Sequence, residues 1–201
     1  MKPLLLPLLT LALALPLAGC SKTLPARINL KGKRLLVIPF AQGPAREFDS
    51  TFGRDLADAT SGAVRSSPLP KGAAVLDFRD AERLMPRGRT ESPDWPRLGA
   101  ALKADYLLLG EVKLYQLRDP KALTTRRGTL IVAYRVLDVA HASYALLVPS
   151  RTFYFPPQKP GDTEFAFGTD SFAKAEEIAG GLLATAARGL AEEFYEREEE
   201  P

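Results

Sequence analysis

The chain has 201 residues, with 27 Lys and Arg against 24 Asp and Glu, a formal net charge of +3, one cysteine and one histidine. So even a balance gives no ground for nucleic-acid binding, and the basic residues lack the interleaved aromatics of single-strand platforms. One cysteine excludes an internal disulfide framework, and one histidine beside one cysteine excludes a zinc set made of those ligands.

Residues 4–17 carry no charge, follow Lys2 and run into Leu17-Ala18-Gly19-Cys20. A basic start, an apolar run and small side chains before a cut are the parts of a signal peptide. A cysteine directly after the cut reads as a lipobox, with cleavage between Gly19 and Cys20 and a lipid on the Cys20 sulfur. A spanning helix needs about 20 apolar residues, whereas this run is shorter and is broken by Pro7 and Pro16. More than one acyl chain gives stable anchorage, and Ser21 in place of an aspartate resembles the sorting signal for the outer membrane. The expected organisation is a signal peptide at 1–19, a lipidated N-terminus and short tether at 20–32, one domain at 33–197 and an acidic tail at 198–201. Cleavage leaves about 180 residues, enough to bury roughly 70% of the unfolded surface in one core.

Along the domain, residues 33–40 form a short apolar run ending near Pro39, which suits a buried strand that leaves its sheet there. Phe48, Phe52, Leu56, Ala59 and Ala63 recur at helical spacing, so an amphipathic helix is expected over 48–64. Residues 73–78 read as a strand, 80–85 as a short helix stopped by Pro86, and 94–102 as another helix with Trp95, Leu98 and Leu102 on one side. Residues 104–117, 128–139 and 143–155 are β-rich, the first two with alternating apolar positions, and their succession predicts an antiparallel meander. His141-Ala142-Ser143 turns the chain between the last two. Residues 156–161 are a loop, and a long helix begins near Thr169 or Asp170 with Phe172, Ala175, Ala179, Leu182, Ala186, Leu190 and Phe194 on its apolar side. Its glycines and alanines permit close packing on the sheet or, alternatively, self-association. The fold class is α+β: a mixed sheet of about five strands in β-α-β-α-β-β-β-α order, with helices packed on it and a long C-terminal helix.

No catalytic constellation emerges. His141 reads as a turn residue, and Gly180-Gly181 sits inside a helical pattern rather than at the strand-to-helix junction of a phosphate loop. Asp105 and Glu111 could serve acid/base chemistry only with partners that the sequence does not reveal. The expectation is therefore no enzyme, no metal and no cofactor. Charge distribution offers two candidate contact surfaces for an acidic partner: a basic loop at Arg118, Lys121, Arg126 and Arg127, and an arginine-rich stretch at Arg83, Arg87, Arg89 and Arg97. The tail from Glu192 is almost all acid.

Three runs resemble one bacterial envelope superfamily: Lys33-Arg34-Leu35-Leu36-Val37-Ile38-Pro39-Phe40, then Ala104-Asp105-Tyr106-Leu107-Leu108-Leu109-Gly110 after a helix, and Tyr134-Arg135-Val136-Leu137-Asp138-Val139. The superfamily includes the amino-terminal domain of the translocation protein TolB, the curli-secretion lipoprotein CsgG and the penicillin-binding-protein activator LpoB. The resemblance implies an envelope setting and pairing of the last two runs, and carries no functional residue except Cys20. The chain lacks segments resembling CsgG's membrane-spanning hairpins or TolB's propeller. The functional expectation is a lipid-anchored periplasmic interaction module, an assembly or regulatory subunit of an envelope machine for secretion, transport or peptidoglycan synthesis. Its partners would be the membrane, through the lipid, and an envelope protein; a homo-oligomer is an open alternative. Competing readings are a carrier of lipid or another small apolar ligand, which needs a roomy cavity, and a glycan or peptide hydrolase, which needs convergent carboxylates.

Overall fold

The computed structural model describes residues 23–42, 51–84, 93–117, 128–157 and 175–198. In chain order the elements are β1 (Thr23–Leu24), β2 (Arg34–Val37), β3 (Ala41–Gln42), α1 (Thr51–Ser66), β4 (Ala74–Val75), α2 (Phe78–Glu82), α3 (Trp95–Ala101), β5 (Tyr106–Gln116), β6 (Gly128–Asp138), β7 (Ser143–Phe155), α4 (Ala175–Ala191) and β8 (Arg197–Glu198). The expected α+β class holds. One mixed sheet runs β4-β2-β5-β6-β7, with β3 also against β5. β2 is parallel to β4 and β5, whereas β5, β6 and β7 form the antiparallel meander expected from their succession.

Strand alternation sorts the sheet into two unlike faces. On β6, Gly128, Leu130, Val132, Tyr134 and Val136 are buried, and the residues between them up to Arg135 are only half-buried. The buried set meets the helices. A Cβ on Gly128 would touch Ile178 and Leu182 of α4, and Phe52 of α1 stacks on Tyr115 of β5 with centroids 4.1 Å apart. Phe40, Leu56, Leu108, Leu130, Leu182 and Phe194 are fully buried in this layer. Among the described residues, the short α3 covers part of the opposite face, where Gly99 approaches Val139 and Leu107.

Glycines decide how closely α4 lies on the sheet. A Cβ at Gly181 would stand 2.3 Å from the Phe155 ring and one at Gly189 2.5 Å from Phe153. The small-residue side of α4 is thus occupied by β7 of the same domain, which removes that side as a self-association surface.

Two expectations at the ends of the domain need correction. Residues 23–32 are not a free tether: β1 pairs antiparallel with β8, Ile28 N–H donates to Glu193 O at 2.9 Å, and Ile28 and Leu30 lie in the core. Apolar Ile28 and Leu30 have a core to enter, and burying such a side chain contributes about 1.5–3 kcal/mol. Nor is the acid-rich stretch from Glu192 wholly solvated: Phe194 is fully buried and Glu193 beside it is buried too, while Glu196 stays exposed. Smaller shifts have local causes. The second expected strand shrinks to Ala74–Val75 because Asp77, accepting from Arg79 N–H at 2.9 Å, starts α2 two residues earlier than its apolar spacing suggested.

Candidate functional site

The expected contact residues fall mostly outside the described structure: Gly19, Cys20, Arg87, Arg89, Arg118, Lys121, Arg126 and Arg127 all do. Arg83 lies just past α2, highly exposed and 3.8 Å from Asp80. Arg97 sits on α3, where its backbone N–H donates to the capping Asp94 at 3.2 Å. They belong to separate elements, and no described contact joins them.

Asp105 and Glu111 are engaged structurally. Asp105 Oδ2 accepts from the backbone N–H of Arg34 at 2.8 Å while Oδ1 meets Lys33 Nζ at 3.2 Å, so this carboxylate fastens the start of β2 to the start of β5. The hydrogen bond and charge of Asp105 raise the Lys33 pKa. Glu111 pairs with Lys113 at 2.7 Å. His141 lies in the β6–β7 turn, with Nδ1 3.0 Å from Asp138 Oδ2. Burial pushes the Asp138 carboxyl up, but hydrogen bonds from His141 and its charge outweigh that and hold it below its usual value. Among the described residues no group of three His, Cys, Asp or Glu side chains is placed to hold a metal ion.

A groove of about 450 Å³ opens on the face of the sheet that α3 partly covers. Trp95 of α3, Leu109 and Glu111 of β5, Ala133 and Arg135 of β6, and Leu147, Val148 and Pro149 of β7 line it. The register explains this set: Leu109, Arg135 and Leu147 face one another across three adjacent strands. Pro149 lies where the β6–β7 register slips, an irregularity that Pro accommodates on an edge strand. Leu147 is 62% exposed, and Tyr144, Tyr154 and Leu114 are also exposed large side chains. Arg135 supplies the charge. Its guanidinium lies over the Tyr144 ring, 4.9 Å from the centroid, and no carboxylate among the described residues pairs with it. Glu111, the nearby acid, is already matched by Lys113.

On the other face, directly behind the groove, Tyr134 Oη donates to Glu193 Oε1. Arg151 of β7 donates to Gly189 O at 2.6 Å, to Glu193 Oε1 at 3.2 Å and to Glu192 Oε2 at 2.9 Å. Arg27 Nη1 lies 3.2 Å from Glu193 Oε2, and Arg197 pairs with Glu192. Burial, followed by the bond to Glu193, pushes the Tyr134 pKa up to about 12. A phenol whose folded pKa lies above its unfolded value of about 10 favours the folded state at neutral pH, and that contribution disappears as pH rises through 10 to 12. Ultraviolet titration of the six tyrosines should therefore show one ionising last, together with alkaline unfolding. Tyr134→Phe should abolish that last step; an unchanged titration would refute the assignment.

Sequence reasoning missed both the groove and the network. Alternation marked Arg135 as lying opposite Tyr134, the one available signal, but not what stands beside either across the sheet.

The structure thus defines an α+β domain with one face of its sheet packed on helices and a groove on the other. No protein-family model and no curated protein matches the chain. Among solved structures, the PelC dodecamer of Paraburkholderia phytofirmans is 13% identical, with 85% of this chain and 95% of that one covered and a TM-score of 0.44. Lipoprotein GNA1162 of Neisseria meningitidis is 16% identical over 61% of this chain and 82% of that one, with a TM-score of 0.45. TolB of Acinetobacter baumannii is 14% identical over 64% of this chain but only 25% of that one, with a TM-score of 0.33. Bacterial lipoproteins stand among these neighbours. No helix of the described residues is long and apolar enough to cross a membrane.

Proposed function

We propose that the chain is a lipid-anchored interaction module of the bacterial envelope, acylated at Cys20, sorted to the outer membrane and facing the periplasm. In this reading it is a non-enzymatic subunit of an envelope machine, akin to the TolB amino-terminal domain, CsgG and LpoB; the lipobox and the three quoted runs support the setting.

The groove is the observation that carries the binding reading. A surface that is apolar, aromatic at one side and provided with a guanidinium that no described carboxylate pairs complements a protein segment bearing a carboxylate next to an apolar side chain. Exposed Leu147 supplies the apolar contact and Arg135 the charge. Because the space is open along one side, it suits a docked segment better than an enclosed lipid.

A photoreactive residue placed at Leu147 in cells should give one recurrent protein adduct, while the same residue at Leu84, also more than half exposed but just past α2, should not. Arg135→Glu should remove the adduct without changing expression. Identical adducts from both positions, or none from 147, would defeat the proposal. Palmitate labelling that is present in the wild type and lost in Cys20→Ala tests the anchor separately.

A further inference from the structure

We infer that the β1–β8 ribbon is the membrane-facing end of the domain, so that the protein rides directly on the lipid surface in one orientation instead of swinging on a leash. The inference rests on the acylation of Cys20 in the reading above, and it adds the surface that meets the bilayer and the reach of the partner.

Only Ser21 and Lys22 separate Cys20 from Thr23, the first residue of β1. Three fully extended steps span at most roughly 11 Å, while each headgroup layer is itself roughly 5–8 Å deep. A ribbon clamped at Thr23 therefore lies at or just above the headgroups. The clamp is more than the two paired residues. Thr23 and Leu24 register with Glu198 and Arg197, and behind them Ile28 N–H bonds Glu193 O at 2.9 Å. Arg27 meets Glu193 at 3.2 Å, and Leu30 is fully buried.

Charge at this end is mixed: Glu196 is exposed and Glu198, Glu199 and Glu200 follow it in the sequence, against Lys22 and the arginines. The sequence suggests an acidic end that anionic headgroups would repel, yet Glu193 is held by Arg27 and Arg151, and Glu192 by Arg151 and Arg197. Arg27 remains half exposed, so a cationic group lies within the same patch. Lys22 adds another in the connecting residues.

Orientation follows from the sheet. Glu193 contacts Tyr134 on the helix-covered face, and the neighbouring Arg135 points into the groove on the other. The ribbon and the groove thus belong to opposite sides of the sheet, leaving the groove clear of the bilayer. A domain of this size is roughly 40 Å across, so the protein that fills the groove must itself reach within about that distance of the same membrane.

The test uses the full acylated chain in phosphatidylethanolamine and phosphatidylglycerol vesicles containing a nitroxide-headgroup lipid, with a fluorophore on Glu196→Cys beside β8 or on Leu147→Cys in the groove. Quenching is expected at 196 and not at 147. It should be lost when an about 15-residue Gly/Ser linker, adding roughly 20 Å of reach, is inserted between Ser21 and Lys22. Equal quenching at the two positions, or quenching at 196 that survives the linker, would overturn the orientation while leaving the anchor intact. A purified chain lacking acyl mass on Cys20 would overturn both.

Discussion

Arg151→Ala should lower the stability of the domain by about 3 kcal/mol, the range found when one partner is removed from a buried ion pair. Arg151 is the hub behind the groove: it reaches Gly189 O, Glu192 and Glu193, and its guanidinium lies 5.2 Å from the Phe153 ring centroid. Truncation leaves Glu193, only 4% exposed, with Arg27 and Tyr134 as its remaining partners. The penalty is desolvation of a carboxylate that has lost a cation, which exceeds the value of the lost bonds themselves. Arg151→Lys keeps the charge but not the fork that serves three acceptors, so it should recover less than half of the loss. The double variant Arg151→Met/Glu193→Leu should cost less than the sum of its singles, since it leaves no charge stranded. Urea unfolding of the four proteins measures the coupling; strict additivity would show that the network is not a unit.

Gly110→Ala should be at least as damaging. A Cβ there would stand 2.0 Å from two Phe40 ring carbons, and Phe40 is fully buried between β2 and α1 with its N–H bonded to Gly53 O at 3.0 Å. Neither group can move aside: Gly110 is held in register between β5 and β6 opposite Tyr134. Overpacking usually costs about 1–3 kcal/mol, and a contact this short, against a ring rather than a flexible side-chain end, belongs at or above the top of that range. The remedy identifies the cause. Phe40→Leu shrinks the obstructing ring and should partly restore Gly110→Ala, a favourable coupling between two individually harmful changes. If thermal denaturation shows Gly110→Ala within a degree or two of the wild type, the close approach of Phe40 is wrong.

The two predictions report on one arrangement. Phe40 and Arg151 sit on the helix-covered side, and they fix the strands whose other side chains make the groove. Loss of either should loosen partner docking through the backbone, whereas Arg135→Glu should alter docking and spare stability.

The long strands were legible to within a few residues because their signals are local: alternating apolar positions mark β5 and β6, and β-rich composition marks β7. α3 was legible for a similar reason, with Asp94 in capping position and Trp95 and Leu98 on one face. Short elements were not. β1, β3 and β8 are two residues long, too few for any period to show, and each exists because a distant segment supplies its hydrogen bonds.

The α+β class and the meander could be read from the sequence, since each follows from periodicity and from the succession of contiguous runs. Tertiary structure alone decided that residues 23–32 are clamped, that Glu192 and Glu193 are neutralised, and that Leu109, Arg135 and Leu147 share one open face. Those facts depend on groups brought together from different elements, up to 166 positions apart as with Arg27 and Glu193. A carboxylate in a linear sequence reads as solvated charge; only the fold supplies the arginines that let it be buried.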